Sequence, residues 1–396
     1  MLKFFSSSNR SVNTARGVQE CLESAMGDEF NQADLLIFHA SIGHNFQDIV
    51  SEASRLAPKS QILAASCCGV VGREGVSESM KDIALMAVKG NDFAVSHCNG
   101  IYGANSYVKT LDMAKDIKQQ KEGINMIYFL ASGIDIANDE CIRAIEDVFG
   151  DTVTIFGATS ADNMKGIVNF QAVNNEVYEH GAYIVGFSDP TLKVDTQATH
   201  GFVRIGEPLV VTKAEGHIIK ELNGRPAWQE YTQRLGLNPD AECGDTIPIG
   251  ALGEKLSEEL SKEYGNDLLL RVVTKRQEND MYFATTIENG TPLWLTTRDE
   301  DLIFSEMDRM VNDMTSRIGR KEVVAVFHAD CLARGRFLFN RIVKEELVAS
   351  MQYPFYTNGE CPPWLGMYGF GEIARLGGKN TYHNYTTALY VIYRDN

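Results

Sequence analysis

No run of apolar residues in this chain reaches the roughly 18 to 20 needed to cross a bilayer as a helix, so no membrane span is expected. The opening segment, MLKFFSSSNRSVNTARG, lacks the apolar stretch and small-residue cleavage site of a secretory leader, and a cytoplasmic protein is expected. Positive charge is scarce: 37 Lys and Arg stand against 53 Asp and Glu, a formal net charge of −16. Such a field repels phosphate backbones and anionic lipid, which argues against nucleic acid or a membrane surface as partner. No CxxC or CxxCH occurs, so a zinc ribbon and covalent c-type haem have no support. The eight cysteines are scattered over 396 residues and read as reduced thiols rather than a disulfide framework. Walker, GxSxG and HExxH motifs are absent, and the glycine run from Gly366 to Gly371 lacks the strand-to-helix setting of a phosphate loop. The chain is read as a non-enzyme, although a hydrolase built on Ser66 or Ser160 with a distant histidine is not settled by spacing.

What the chain does have is a repeated design. Residues 35–72, 126–163 and 324–360 each open with a buried-type apolar run, break at a small or polar pair, pass through a helix-period stretch and close on a second apolar run. The breaks are Ala40-Ser41, Ala131-Ser132 and Ala329-Asp330. The closing stops are Ser66-Cys67-Cys68-Gly69, Ala158-Thr159-Ser160 and Tyr356-Thr357-Asn358-Gly359. This predicts a βαβ-like unit three times over. Ligands gather at strand C-terminal ends in open α/β sheets, so these stops are candidate ligand-facing edges.

Between the units, alternating apolar and polar residues with turn signals at Glu215-Gly216, Asn223-Gly224, 278–280 and Asn289-Gly290 predict antiparallel hairpins. Pro226 and Gly236 punctuate one helix. A second is expected around residues 301–318, with Ile303, Met307, Met310, Val311 and Met314 on a core-facing stripe. The fold class is therefore α/β (α+β): mixed sheets, repeated β-α-β units, antiparallel hairpins, helices packed on the sheets and two related lobes. No Pro- or Ser-rich linker separates them. The domains are placed at residues 1–212 and 213–396.

Several segments in order, LLIFHAS, AASCCGVVG, GATSADN, HGFVRIGEPLVVTKAEGHIIKELNGRPAWQEY, HADCLARGR, YPFYTNGE and YGFGEIARLGGKNTYHNYTTALYVIY, resemble the FIST family of sensory domains. The resemblance spans about residues 30 to 393, with ECPPWLG as an insertion-like departure. It implies an N-terminal and a C-terminal FIST domain that sense a small molecule such as an amino acid. Stand-alone bacterial members of similar length are described as haem proteins that sense nitric oxide and regulate a histidine kinase. No kinase, cyclase or methyl-accepting segment is found in this chain, so the resemblance implies output through a separate signalling partner. Oligomeric state is not legible.

Candidate ligand contacts follow from residue type. His200, followed by Gly201 with no side chain to block access, can ligate haem iron, donate to a carboxylate or satisfy a buried carbonyl. Glu372, preceded by glycines on both sides of Phe370 and expected in a loop, suits the amino group of an amino acid or loop amides. His383 and Asn384 follow a Gly-Gly turn; if the tail is a continuous strand, His383 and Tyr385 share one face and Asn384 the other. Ser66, Cys67, Cys68 and Thr159 stand at the strand stops. His39 and His328 occupy matched Phe-His-Ala positions, and His217 is taken as ordinary. A thiol or metal redox protein using Cys67, Cys68, Cys331 or Cys361 is the alternative reading.

Overall fold

The computed structural model describes residues 1–335 and 339–394. Its organising element is a seven-part unit: strand, helix, strand, helix, a strand parallel to the one before, a hairpin and a final strand. In the first copy these are Lys3–Arg10, Thr14–Met26, Leu35–Ser41, Phe46–Leu56, Gln61–Cys67, the hairpin Val70–Gly72 with Gly75–Ser77, and Asp82–Lys89. The second runs through Phe93–Asn99, Ser106–Gln120, Met126–Ser132, Asn138–Phe149, Thr154–Ser160, the hairpin Gln171–Val173 with Glu176–Tyr178, and Gly181–Phe187. The third runs through Leu192–Thr199, Glu300–Ile318, Glu322–Cys331, Arg341–Gln352, Trp364–Gly369, the hairpin Gly371–Leu376 with Lys379–His383, and Thr387–Arg394. Asn13, Asn45, Asp299 and Asn340 cap four of the helices through side-chain acceptors, each contributing about 1 kcal/mol.

Each unit keeps its long strands in one six-stranded mixed sheet but gives its hairpin to another. The first unit's hairpin pairs Val70 with Met367 of the third unit. The second unit's pairs Gln171 with Ala65 of the first. The third unit's pairs Gly371 with Thr159 of the second, closing the exchange into a ring. The inner faces of all three sheets meet in one apolar core that includes Ile37, Leu63, Tyr128, Phe156, Phe327 and Tyr390. Ring centroids of Tyr128 and Phe327 lie 5.0 Å apart, and those of Phe156 and Tyr390 5.4 Å apart, so aromatic contacts tie sheet to sheet. Gly157 is demanded here: its φ is +147°, and a Cβ would sit 1.9 Å from the Phe129 carbonyl oxygen.

Helices cover the outer faces. Ile303, Met307, Met310, Val311 and Met314 are buried on the outside of the third sheet, as the methionine stripe predicts. Among the described residues, no helix is long and apolar enough to cross a membrane.

Between the first strand and first helix of the third unit, the chain detours into a separate sheet. Its strand order is Leu268–Arg271, Leu252–Lys255, Pro292–Arg298, Phe202–Glu215, Ile218–Leu222, Asp280–Tyr282 and Lys275–Gln277. The helix Ala227–Leu235, starting after Pro226 and ending at left-handed Gly236, packs Trp228 and Tyr231 into that sheet's own core. The hairpin turns at Gly216, Asn223-Gly224 and Glu278 all carry the positive φ that their sequence signals require. The strand Phe202–Glu215 runs across residues 212 and 213, and the three-sheet body takes strands from both sides of that point.

Three local expectations change. The second strand of the third repeat is Trp364–Gly369, within and after ECPPWLG, and not the run ending at Tyr356-Thr357-Asn358-Gly359. The helix continues through Gln352 into a 3-10 turn to Phe355, and positive φ at Asn358 and Gly359 makes that stop a turn. Glu372 lies in a strand, directly opposite His383, rather than in a loop. The closing segment is also not one strand: Tyr385, at φ +57°, breaks it between Lys379–His383 and Thr387–Arg394. His383 and Tyr385 therefore do not share a strand face.

Candidate functional site

The parallel strand pairs of the second and third units end side by side, and a cavity of about 530 Å³ opens over them. Its floor is the backbone that follows those strands: residues 133–136 and 164–167 from the second unit, 331–333 and Phe370 from the third. Its roof is the inserted domain, through 242–244, Ile247, 272–276 and 282–284, with His217 at the side. Tyr385 completes the wall. The loop after Thr154–Ser160 is held by Asp162, whose carboxylate accepts from the backbone N–H groups of Lys165 and Ile167, each at 2.8 Å. Aromatic and aliphatic walls carry both signs of charge at the rim, from Asp135, Lys165, Glu242, Lys275 and Arg276. That mixture suits a small, partly apolar ligand with polar ends.

The first unit does not contribute. Ser41 donates to the Ser79 carbonyl at 2.6 Å, and a Cβ at Gly43 would sit 2.3 Å from the Met80 oxygen, so the 77–81 loop caps that strand end.

Immediately behind the cavity wall lies a buried polar cluster. Asp330 and Arg334 are each 1% exposed, and Arg334 Nε donates to Asp330 Oδ1 at 3.0 Å. His328 Nε2 is 3.7 Å from Asp330 Oδ2 and 2.9 Å from Thr387 Oγ1. Glu372, fully buried, accepts at Oε2 from the Thr386 hydroxyl at 2.7 Å. Burial raises the Glu372 carboxyl well above its ordinary range, against the Thr386 hydrogen bond, which lowers it. Residue-type reasoning passed over Arg334, since HADCLARGR gives no hint that its arginine turns inward.

None of the residues singled out as ligand contacts lines the cavity. His200, Glu372, His383 and Asn384 are brought together in the interior beneath it. His200 is fully buried; its Nε2 lies 2.9 Å from the Leu268 carbonyl, and its Nδ1 accepts from the Phe202 N–H at 3.1 Å. Burial lowers its pKa to about 4, so the ring is neutral. His383 is bound by the Tyr264 hydroxyl at 3.0 Å and the Ala374 carbonyl at 3.3 Å, and burial lowers its pKa to about 3. Asn384 donates to the Phe370 carbonyl at 3.2 Å, which fixes a cavity-lining residue. Gly201 is small for a packing reason: a Cβ there would sit 2.3 Å from Ile303 N. Thr159 is a buried strand residue paired with Gly371.

Ser66, Cys67 and Cys68 lie apart, at the capped end of the first unit. Ser66 Oγ donates to the Ala161 carbonyl at 2.9 Å and accepts from the Phe170 N–H at 2.8 Å, a structural bridge between units. His39 and His328, read as matched, point to opposite faces: His39 reaches Tyr128 in the central core at 3.0 Å, whereas the His328 ring packs 6.0 Å from Trp364 on the outer side. A one-residue offset suffices for that reversal.

Desolvation pushes the Cys67 and Cys331 thiols well above their ordinary value, and Cys361 to about 11. Cys243 and Cys331 do line the cavity. Among the described residues, no group of three or more His, Cys, Asp or Glu is placed to hold a metal ion. Nor does His200 fit a haem axial ligand in this arrangement. Offering either nitrogen to iron would leave the Leu268 carbonyl or the Phe202 N–H unpaired in the interior.

Comparison with known proteins matches the FIST N domain over residues 34–225 and the FIST C domain over residues 227–375. The chain is 24% identical over 248 residues to the uncharacterized protein Mb0898c of Mycobacterium bovis, covering 60% of each chain. It is also 24% identical over 215 residues to the uncharacterized protein Rv0628c of Mycobacterium tuberculosis, covering 52% of each. The matched region thus spans about three-fifths or less of these relatives. A solved cyanuric acid hydrolase aligns over 100% of both chains, but at 8% identity and a TM-score of 0.36 it carries no weight for fold or activity. With both domain models matched in order along it, the chain belongs to the FIST family.

Proposed function

We propose that this protein is a non-enzymatic sensory module that binds a small molecule in the cavity between the three-sheet body and the inserted domain, and passes the event to a separate signalling partner. The observation that carries this reading is the cavity's composite wall: strand-end loops of two units form the floor, and the inserted domain forms the roof. A ligand spanning both favours one relative placement of roof and floor, which is how differential binding moves a two-state equilibrium. FIST domains suggest a sensory, signal-transduction role, in keeping with this reading.

A thermal-shift panel of amino acids and small organic acids on the purified protein tests it. A ligand at about 100 times its dissociation constant adds about 2.7 kcal/mol. A bulky substitution at the floor, Ala333→Trp, abolishes that shift; an equal shift in the variant places the ligand elsewhere and refutes the reading.

The haem and nitric oxide version, with a histidine kinase as partner, rests on the family resemblance. The engaged nitrogens of His200 weigh against that residue as its ligand, and His217 is the histidine that lines the cavity. Reconstitution with haem decides it: a Soret band altered by nitric oxide supports it, and no band removes it. An unchanged band in His200→Ala clears His200.

A further inference from the structure

Among the described residues, a buried guanidinium has donors without a partner. Arg334 uses Nε on Asp330, but Nη1 and Nη2 have no partner among the described residues. The other buried arginines are better served. Arg394 bonds the Leu2 carbonyl at 2.5 Å and Thr191 Oγ1 at 2.7 Å; Arg271 bonds Glu254 and the Tyr382 carbonyl. An uncompensated guanidinium edge at 1% exposure is costly, and native interiors pair such groups. Glu372 supplies an unpaired acceptor in the same cluster: Oε1 has no partner among the described residues.

Neither group is among the residues that line the cavity, but each stands within two residues, in sequence, of one that does. Arg334 ends the turn Leu332–Arg334, whose first two residues line the cavity. Glu372 and Thr386 adjoin, in sequence, Gly371 after cavity-lining Phe370 and cavity-lining Tyr385.

We propose that Arg334 is the carboxylate-binding residue of the cavity, its terminal nitrogens forking onto a small carboxylate ligand admitted past the turn. The proposal deepens the sensory reading above and rests on it. A planar guanidinium matches a carboxylate with two parallel hydrogen bonds, and the Asp330 contact on Nε fixes the direction of the free edge. The carboxylate belongs to a simple acid or to an amino acid. Glu372 Oε1 separates these sources, because an ammonium group has an acceptor there and a simple acid has no use for it.

The test uses the full chain. Sodium acetate and glycine are titrated at constant ionic strength against sodium chloride, with thermal unfolding as readout, on the wild type, Arg334→Met and Arg334→Lys. Saturable stabilisation by acetate or glycine in the wild type, lost at least tenfold in affinity in Arg334→Met and weakened in Arg334→Lys, is expected. Dependence on glycine alone, lost in Glu372→Gln, assigns an amino acid; equal response to acetate assigns a simple acid. Because variants at a buried site can misfold, wild-type crystals soaked in sodium bromide give a second readout: an anomalous peak beside Nη1 or Nη2 is expected. Ordered water alone there, or undiminished stabilisation in Arg334→Met, overturns the proposal. A panel ligand that stabilises wild type and Arg334→Met equally but fails on Ala333→Trp leaves the cavity reading standing and removes Arg334 from it.

Discussion

The hydroxyl of Tyr264 lies 3.0 Å from Nδ1 of His383, joining the inserted domain to the third unit's hairpin across a buried seam. His383 Nε2 reaches the Ala374 carbonyl at 3.3 Å, so Nε2 carries the proton and Nδ1 accepts from the tyrosine. Burial holds the Tyr264 phenol far above its ordinary pKa, which keeps it a donor.

Removing that hydroxyl leaves a buried acceptor unpaired. Tyr264→Phe should destabilise the protein by about 1 to 3 kcal/mol in urea unfolding. Because the bond crosses between domain and body, the variant should also expose the inserted domain to proteolysis before the body. Simultaneous cleavage of both would contradict this.

Acid should unfold the protein through its buried neutral histidines. His39 and His200 are lowered to about 4 and His383 to about 3, in each case chiefly by burial, against about 6.5 unfolded. The unfolded chain therefore binds more protons below pH 6.5. Stability from these groups is complete above that value and is lost as pH falls through 4, by on the order of 3 kcal/mol per histidine. Glu372, raised instead, acts in the opposite sense, contributing below its ordinary pKa and losing that contribution as pH rises. His200→Gln should flatten the dependence of the urea midpoint on pH between 6.5 and 4; an unaltered slope would show that His200 does not titrate there.

Asp330 and Arg334 form a buried ion pair. Asp330→Ala strands the arginine and should cost about 3 to 5 kcal/mol. Asp330→Ala with Arg334→Met should recover most of that loss, giving a coupling energy in a double-mutant cycle. Strict additivity of the two substitutions would exclude the pairing.

Thiol chemistry should separate the cavity from the core. Cys98 and Cys243 are partly exposed, whereas Cys21, Cys67, Cys141 and Cys331 are buried. Burial raises Cys98 and Cys243 to about 11, so both should react slowly with a maleimide at pH 8. A cavity ligand should protect Cys243 and not Cys98. Fast labelling of Cys67 or Cys68 in the native state would instead favour the redox reading.

Two strand-helix-strand cores, and the first strand and helix of the third, were legible because a buried strand and an amphipathic crossover each leave a periodic mark in the residues. The rest of each unit was harder to read. Gln171–Val173 and Val70–Gly72 are three-residue strands that, beyond their own hairpin mates, pair with strands distant in the chain, and no local pattern encodes that second pairing. The Trp364–Gly369 strand hid behind Cys361-Pro362-Pro363, which reads as a break. Site residues were harder still. His200, His383 and Glu372 attract notice as chemistry-bearing types, yet two of them are saturated by backbone and phenol contacts that no spacing reveals. Arg334 drew no notice in the sequence, and only the fold turns it inward.

The hairpin given by each unit to its neighbour has a consequence for ancestry and assembly. A chain holding one such unit would have one open sheet edge and one hairpin with no sheet of its own to join. Three copies give every hairpin a neighbouring sheet to join, and the rotation closes, so a single-unit polypeptide is expected to assemble as a cyclic trimer. Here covalent linkage replaces association, and the equivalence of the three sites can be broken. One strand end has been sealed, and two have been left to share a cavity under a roof that only the third unit carries.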